Sequence, residues 1–227
     1  MSAHGGYGEA VSERTIARNE ARDAILEAAV SRLATCGPAA VHPQDICEEL
    51  GLSKALVNYH FGNRDGLIAE AIALAYERYI DTLISASQEP DLDPVGRVTA
   101  WVDALIEWAR QNPGLAAAVN FPHEAGGIPR PLDPPLAQRM QLAASRAFSN
   151  LQGLVQDARM SLREPGDARE LDPTDVALDT ALISWATLGM SVYAAGENLP
   201  TRVLPVADYL PVAQERMRDL MILLLTR

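Results

Sequence analysis

Lysine is all but missing from this chain: Lys54 is the only one, and the other cations are arginines. With 19 basic residues against 30 acidic ones the net charge is −11, which excludes a protein that coats nucleic acid through diffuse cationic contacts. Any such binding must be local. Cysteine is scarce too: Cys36 and Cys47 stand at no metal-binding spacing and flank helical apolar stripes, so both are expected as buried thiols in a reducing compartment. The four histidines, His4, His42, His60 and His123, include no pair four residues apart. There is also no nucleophile elbow and no phosphate-binding glycine loop, so the chain reads as neither an enzyme nor a metal or cofactor protein. No apolar run approaches the roughly 20 residues of a membrane-spanning helix. Met1–Ala10 lacks the basic start and apolar centre of a secretory signal. A soluble, cytoplasmic protein without a membrane partner is expected. Period-two alternation is missing as well, so the expected fold class is all-α.

What the chain does have is helical periodicity with clear punctuation. Arg18–Thr35 carries Ile25, Leu26, Ala29, Val30 and Leu33 as an inward stripe and stops at Cys36-Gly37-Pro38. Asn63 is placed to cap a helix from Arg64 to about Ser87, too long for a small domain and therefore a connector. Asp93-Pro94, Asp133-Pro134 and Asp172-Pro173 each set an Asp N-cap before a proline at the first helical position, and Asn112-Pro113 repeats the device for a short helix. These marks predict helices over Pro94–Gln111, Pro113–Asn120, Pro134–Leu162 and Pro173–Asn198, with a last one over Val206–Leu225. Residues 1–17 are expected as a disordered tail, 18–66 as a small domain and 67–227 as a larger one.

The small domain holds the most specific pattern. Gln44–Leu50, then Gly51, then the segment after Ser53 spell helix, tight turn, helix. Ser53 is the expected N-cap of the second helix, with Val57 and Phe61 turned inward beside Ile46, Leu50 and Leu52. Lys54, Ala55, Asn58 and Tyr59 remain on free faces that can reach a major groove, and no acidic residue lies between Glu49 and Asp65. Asn58 suits adenine, and Lys54 suits guanine or a phosphate. Tyr59, His60, Ser53 and Gln44 suit phosphates, with His60 alternatively packing on the first helix, while Arg14, Arg18 and Arg22 share a face that can flank the groove.

Asp45-Ile46-Cys47, Gly51-Leu52-Ser53, Val57, Phe61, Arg64-Asp65 and Leu67 resemble the DNA-binding signature of the TetR family of transcriptional repressors. Ala55 and Leu56 stand where that family has a small residue and Thr, Asn58 where it has Tyr, and Arg64, also a candidate DNA contact, where it has Lys. Changed recognition residues imply a changed operator. The resemblance implies an N-terminal three-helix helix-turn-helix DNA-binding domain, joined by the connector helix to a larger helical domain for ligand binding and dimerisation. Its last two helices would pair two subunits, and they are apolar beyond what one subunit can cover. The function so implied is that of a homodimeric regulator, a repressor released from a palindromic operator in double-stranded DNA by a small-molecule effector. Trp101, Leu105, Trp108, Phe121, His123, Met140, Ala144, Trp185 and Met190 are the candidate lining for an apolar or aromatic effector. Asn120–Pro135, with five prolines and two glycines, is a candidate gating loop.

Overall fold

The structure, a computed structural model, describes residues 6–120, 133–164, 170–195 and 206–226. Among them are helices α1 (Gly6–Cys36), α2 (Pro43–Leu50), α3 (Ala55–Phe61), α4 (Arg64–Ala86) and α5 (Pro94–Gln111). After these come α6 (Pro113–Asn120), α7 (Pro134–Ser161), α8 (Pro173–Ala195) and α9 (Val206–Leu225), with a 3-10 turn at Pro38–Ala40 and no described strand. The chain is all-α. The first helix starts well before Arg18, so residues 6–17 of the expected tail are helical, in keeping with Glu9, Ala10, Glu13 and Ala17, good helix formers with no proline among them. Residues 1–5, most of the candidate gate and the end of the expected 173–198 helix lie outside the described residues.

The helix boundaries show why the punctuation works, and where it fails. Gly51 is left-handed at φ 65°. Its N–H donates to the Glu48 carbonyl at 3.2 Å while that of Leu52 donates to Cys47 at 2.8 Å, a Schellman closure that turns the chain out of α2. Asn63 and Asp93 cap as expected, accepting from Gly66 N at 2.8 Å and Gly96 N at 2.6 Å. Asp172 accepts from Thr174 N at 2.8 Å. Asp133 makes no side-chain cap, its carbonyl instead accepting from Leu136 and Ala137 at 3.0 Å. Asn112 departs from expectation in its side chain alone: its amide donates back to the Trp108 carbonyl at 2.8 Å and closes α5, while its own carbonyl accepts from Ala116 N at 2.9 Å and opens α6. Cys47 is buried but Cys36 is exposed, because α1 ends there and the buried Gly37 and Pro38 take its inward place.

Two large hydrophobic cores organise the described residues, with a small third cluster of Ala69, Ala73 and Leu136 beside them. One gathers Ile25, Leu26, Ala29 and Leu33 of α1 with Ile46, Val57 and Phe61, and the other gathers α5, α7, α8 and α9. The helix α4 belongs to both: Leu67, Ile68, Ala71, Ile72 and Ala75 lie in the first, and Tyr79, Ile80 and Leu83 in the second. The first core therefore continues past residue 66 into α4, and it also takes in Leu115 and Ala118 of α6. Gly114 makes that possible, since a Cβ there would collide with the backbone of Gly37 and Leu33. The second core is clamped by a largely buried ion pair, Arg159 of α7 to Asp179 of α8 at 2.6 Å.

Helix α8 is apolar almost all round, and its inward side is the less hydrophobic one. Val176, Thr180, Ile183, Thr187 and Ser191 are buried, while Leu178, Leu182 and Trp185 face out. The two threonine hydroxyls donate to the carbonyls of Val176 at 2.7 Å and Ile183 at 2.6 Å, so their burial leaves no unmet polar group.

Two substitutions test this packing. Ile46→Ala should lower stability by about 3 kcal/mol in urea denaturation, as expected for a fully buried aliphatic side chain. Gly114→Ala should cost about 1–3 kcal/mol because α6 must back away from α1, whereas Gly153→Ala, with open space around its Cβ, should be neutral or stabilising.

Candidate nucleic-acid interface and ligand cavity

Ser53 begins the recognition helix as the sequence predicts. Lys54 already has helical backbone angles, and Ser53 Oγ accepts from Ala55 N at 3.3 Å, the geometry of an N-cap one residue before the regular helix. With Val57 and Phe61 buried, Lys54, Ala55, Asn58 and Tyr59 form a contiguous exposed stripe, and Tyr59 is 66% exposed. Gln44 is exposed at the start of α2, where its amide donates to Glu48 at 3.0 Å.

The cations around this stripe are mostly occupied. Arg18 donates to the Tyr59 hydroxyl at 3.5 Å and lies 5.4 Å from the ring centroid, which steadies an otherwise exposed aromatic. Arg22 sits 5.5 Å from the Phe61 centroid and pairs with Asp23 at 3.3 Å and Glu70 at 3.6 Å. The side chain of Arg14 lies outside the described residues. Arg32 holds Glu49 at 2.8 Å, and Arg64 is turned onto the protein, donating to the carbonyls of Val41 at 2.7 Å and Pro38 at 2.6 Å. The Pro38 carbonyl also accepts from Val41 N at 3.2 Å within the 3-10 turn, and Val41 follows that turn directly, so Arg64 braces the entry to α2. Lys54 makes no ion pair among the described residues, and its charge is free to meet a phosphate or a guanine edge.

His60 is half-buried, edge-on to Tyr59 at 4.8 Å, and its Nε2 is buried without a hydrogen-bond partner. Of the two placements open to it, it takes packing within the protein. Burial, then Arg22 and Arg18, hold its pKa below the ordinary histidine value.

A cavity of about 360 Å³ lies in the second core. Trp101, Leu105 and Ala144 line it as expected, joined by Tyr76, Tyr79, Phe148 and Ser184, which sequence reading did not nominate. The signal was there for the tyrosines, which share the inward stripe of α4 with Ile80 and Leu83. Trp108, Met140 and Met190 do not line it. Trp108 packs on Tyr79 at a centroid distance of 4.3 Å, against both cores, while Met140 packs toward the first core and Met190 within the second. Trp185 is corrected outright, being 67% exposed on the outer face of α8, since on an all-round apolar helix periodicity cannot say which side turns in. Phe121 and His123 lie outside the described residues. Trp101 is almost fully buried, yet its indole Nε1 has no hydrogen-bond partner, an omission costing about 1–3 kcal/mol. Burial raises the pKa values of Tyr76 and Tyr79, so both stay neutral. Among the described residues no His/Cys/Asp/Glu cluster could hold a metal ion, and no helix is long and apolar enough to cross a membrane.

A capped helix-turn-helix with an open recognition face, set on a helical domain with its own cavity, defines a helix-turn-helix DNA-binding protein. Residues 25–71, the helix-turn-helix and the start of α4, match the sequence model of bacterial regulatory proteins of the TetR family. No protein of curated function matches it in sequence. Among solved structures it resembles a TetR/AcrR-family regulator from Thermobifida fusca, with 17% identity over 91% of this chain and 97% of that one and a TM-score of 0.59. It also resembles the TetR-family regulator PfmR from Thermus thermophilus, with 23% identity over 88% and 96% of the two chains and a TM-score of 0.54. A third likeness is to the regulator FadR from Bacillus subtilis, solved in complex with stearoyl-CoA, with 15% identity, 89% and 96% covered and a TM-score of 0.57. At such identities these structures bear on the fold.

The His60 geometry has a consequence for pH. A folded-state pKa below the unfolded one means that protonation favours unfolding, so stability is lost as pH falls below the ordinary histidine value of about 6.5. Urea midpoints at about pH 7.5 and about pH 5.5 should differ less in His60→Asn than in the unaltered protein.

Proposed function

We propose that the protein is a homodimeric repressor that binds a palindromic operator and is released from it by a small-molecule effector held in the cavity. One observation carries this reading. The helix whose first turn abuts the recognition helix is the same unbroken helix that lines the cavity with Tyr76 and Tyr79. A ligand pressing on the second half of α4 moves the mount of α3, and in a two-fold dimer that changes the separation of two readers. Ion pairs support the linkage. Arg139 of α7 holds Glu70 at 3.0 Å and Glu77 at 2.8 Å on α4, and Glu70 in turn faces Arg22 of α1 at 3.6 Å.

The dimer is supported by the outer faces of the last two helices. Leu178, Leu182 and Trp185 on α8, with Val212, Leu220 and Leu223 on α9, are exposed in a single subunit and lie at helical spacing. Two copies would cover them as a four-helix bundle. Within the reader, Lys54 and Asn58 make the base or phosphate contacts, Ala55 permits close approach to the groove, and Tyr59, Ser53 and Gln44 meet the backbone. His60 and Arg64 act from behind that surface.

Selection of bound sites from random duplex DNA tests the reading directly. A palindrome with half-sites about one helical turn or more apart is expected; bound sites of no common sequence would overturn it. Asn58→Ala should relax preference at one base position by about 1–3 kcal/mol. Lys54→Ala should weaken all sites alike or lower the salt slope by about 1. The pair Leu182→Asp and Trp185→Asp should give a monomer in light scattering that no longer distinguishes the palindrome from a half-site.

A further inference from the structure

Helix α1 lays two guanidinium groups over two rings of the recognition helix, and the two differ in what surrounds them. Arg22 lies 5.5 Å from the centroid of the buried Phe61 ring and is paired with Asp23 and Glu70. Arg18, one turn earlier, is exposed and lies 5.4 Å from the centroid of Tyr59, itself 66% exposed. Its Nη1 donates to the Tyr59 hydroxyl across 3.5 Å, so the tyrosine oxygen accepts on the α1 side and its hydrogen is left to donate elsewhere. A guanidinium carries a flat fork of N–H donors, of which the tyrosine oxygen takes one. Tyr59 also belongs to the exposed stripe of Lys54, Ala55 and Asn58, one helical turn beyond Ala55. The pair thus joins α1 to the edge of the reading face, where a DNA backbone meets a helix lying in the groove.

We propose that Arg18 and Tyr59 form a clamp for one DNA phosphate in each half-site, the guanidinium and the phenolic O–H both donating to its non-bridging oxygens. This rests on the DNA-reading function given above and gives Arg18 a binding role within it. Stacking on the ring holds the long arginine side chain in place before DNA arrives, so less rotamer freedom is lost on binding than for an untethered cation. The bonds from the guanidinium to a phosphate are charge-assisted and of fixed geometry, which sets the register of α3 in the groove as well as adding affinity. The acidity of the chain gives the clamp its weight. At a net charge of −11, attraction to phosphates has to come from cations placed at the groove, and Arg18 joins Lys54 there.

Fluorescence anisotropy on the full chain and its selected operator, over a series of salt concentrations, tests the clamp. Arg18→Gln should weaken the operator roughly tenfold and lower the salt slope by about 1 per half-site. Uncharged methylphosphonates, placed one at a time along a half-site, should reveal a position that costs the unaltered protein affinity and costs Arg18→Gln none. Tyr59→Phe keeps the ring under the guanidinium and removes only the O–H. It should keep the salt slope and show a smaller penalty at that same phosphate, a readout that does not depend on the Arg18→Gln protein, whose folding circular dichroism checks. Weakened binding by Arg18→Gln with the slope and the methylphosphonate profile unchanged would make Arg18 a brace for Tyr59 alone and would overturn the clamp, as would unweakened binding. The two readings fail separately. If the unaltered protein selects no common sequence, DNA reading and clamp fall together; if it selects a palindrome that Arg18→Gln binds with the same slope, only the clamp falls.

Discussion

A single rod serving two cores is the constraint on which this molecule turns. Helix α4 runs without proline from Arg64 to Ala86, and its one glycine, Gly66, lies in the first turn. Its 23 residues span about 35 Å at the α-helical rise. Nothing in that length offers a hinge. The first half is buried with the helix-turn-helix and the second with the larger domain, so neither core can shift along the other without taking the rod with it. At its N-terminal end the coupling is steric, since even a Cβ on Gly66 would collide with the Phe61 carbonyl that ends the recognition helix. Further along it is electrostatic, because the Glu70 carboxylate is shared between Arg22 of α1 and Arg139 of α7.

The acidity of the chain is resolved by a division of labour between its cations. Arginine forms most of the ion pairs between elements: Arg78 with Glu27, Arg139 with Glu70 and Glu77, Arg146 with Asp81, Arg218 with Asp103. A planar guanidinium can hold two acceptors at once, as Arg64 does with two carbonyls and Arg139 with two carboxylates. Lysine, a hydrated point charge on a flexible stem, does that poorly, and the one lysine is left for the recognition face. The acids flanking that face are answered in place, Glu49 by Arg32 and Glu48 by Gln44. An acidic protein can thus carry a DNA reader without being basic, provided its field is shaped within a Debye length of the contact.

Much of this could be read before any fold was seen, because caps and breakers act locally. Gly51, Ser53, Asn63 and Asp93 depend on backbone groups within a few residues of themselves, and each does in space what its sequence context predicts. Where sequence reading erred, the deciding partner was distant or there were two equivalent choices. Asn112 has two helices to serve, and its side chain closes the earlier one while its carbonyl opens the later. Arg64 reads as a DNA contact until the carbonyls of Pro38 and Val41, more than 20 residues upstream, claim it. Cavity residues are the hardest, since a wall is defined by what fails to fill the space opposite. Tyr76 and Tyr79 were visible as inward residues but could not be told from core, and Trp185 could not be told from either.

The cavity and the uncovered face of α8 have one origin. Turning Thr180, Ser184 and Thr187 toward α5 and α7 puts small side chains where a packed core would place leucine, and Ala144 and Ala147 of α7 are small as well. Large aromatics on α4 and α5 then meet too little volume, and a void remains in an interior that close packing would otherwise fill. The leucines and Trp185 that could have filled it stand on the outside of the same helix. Rotating α8 by about half a turn would close the void and hide those side chains, but it would expose the hydroxyl face and break the buried pair of Arg159 with Asp179. That ion pair fixes the rotation of α8, and with it both the space inside the domain and the apolar surface outside it.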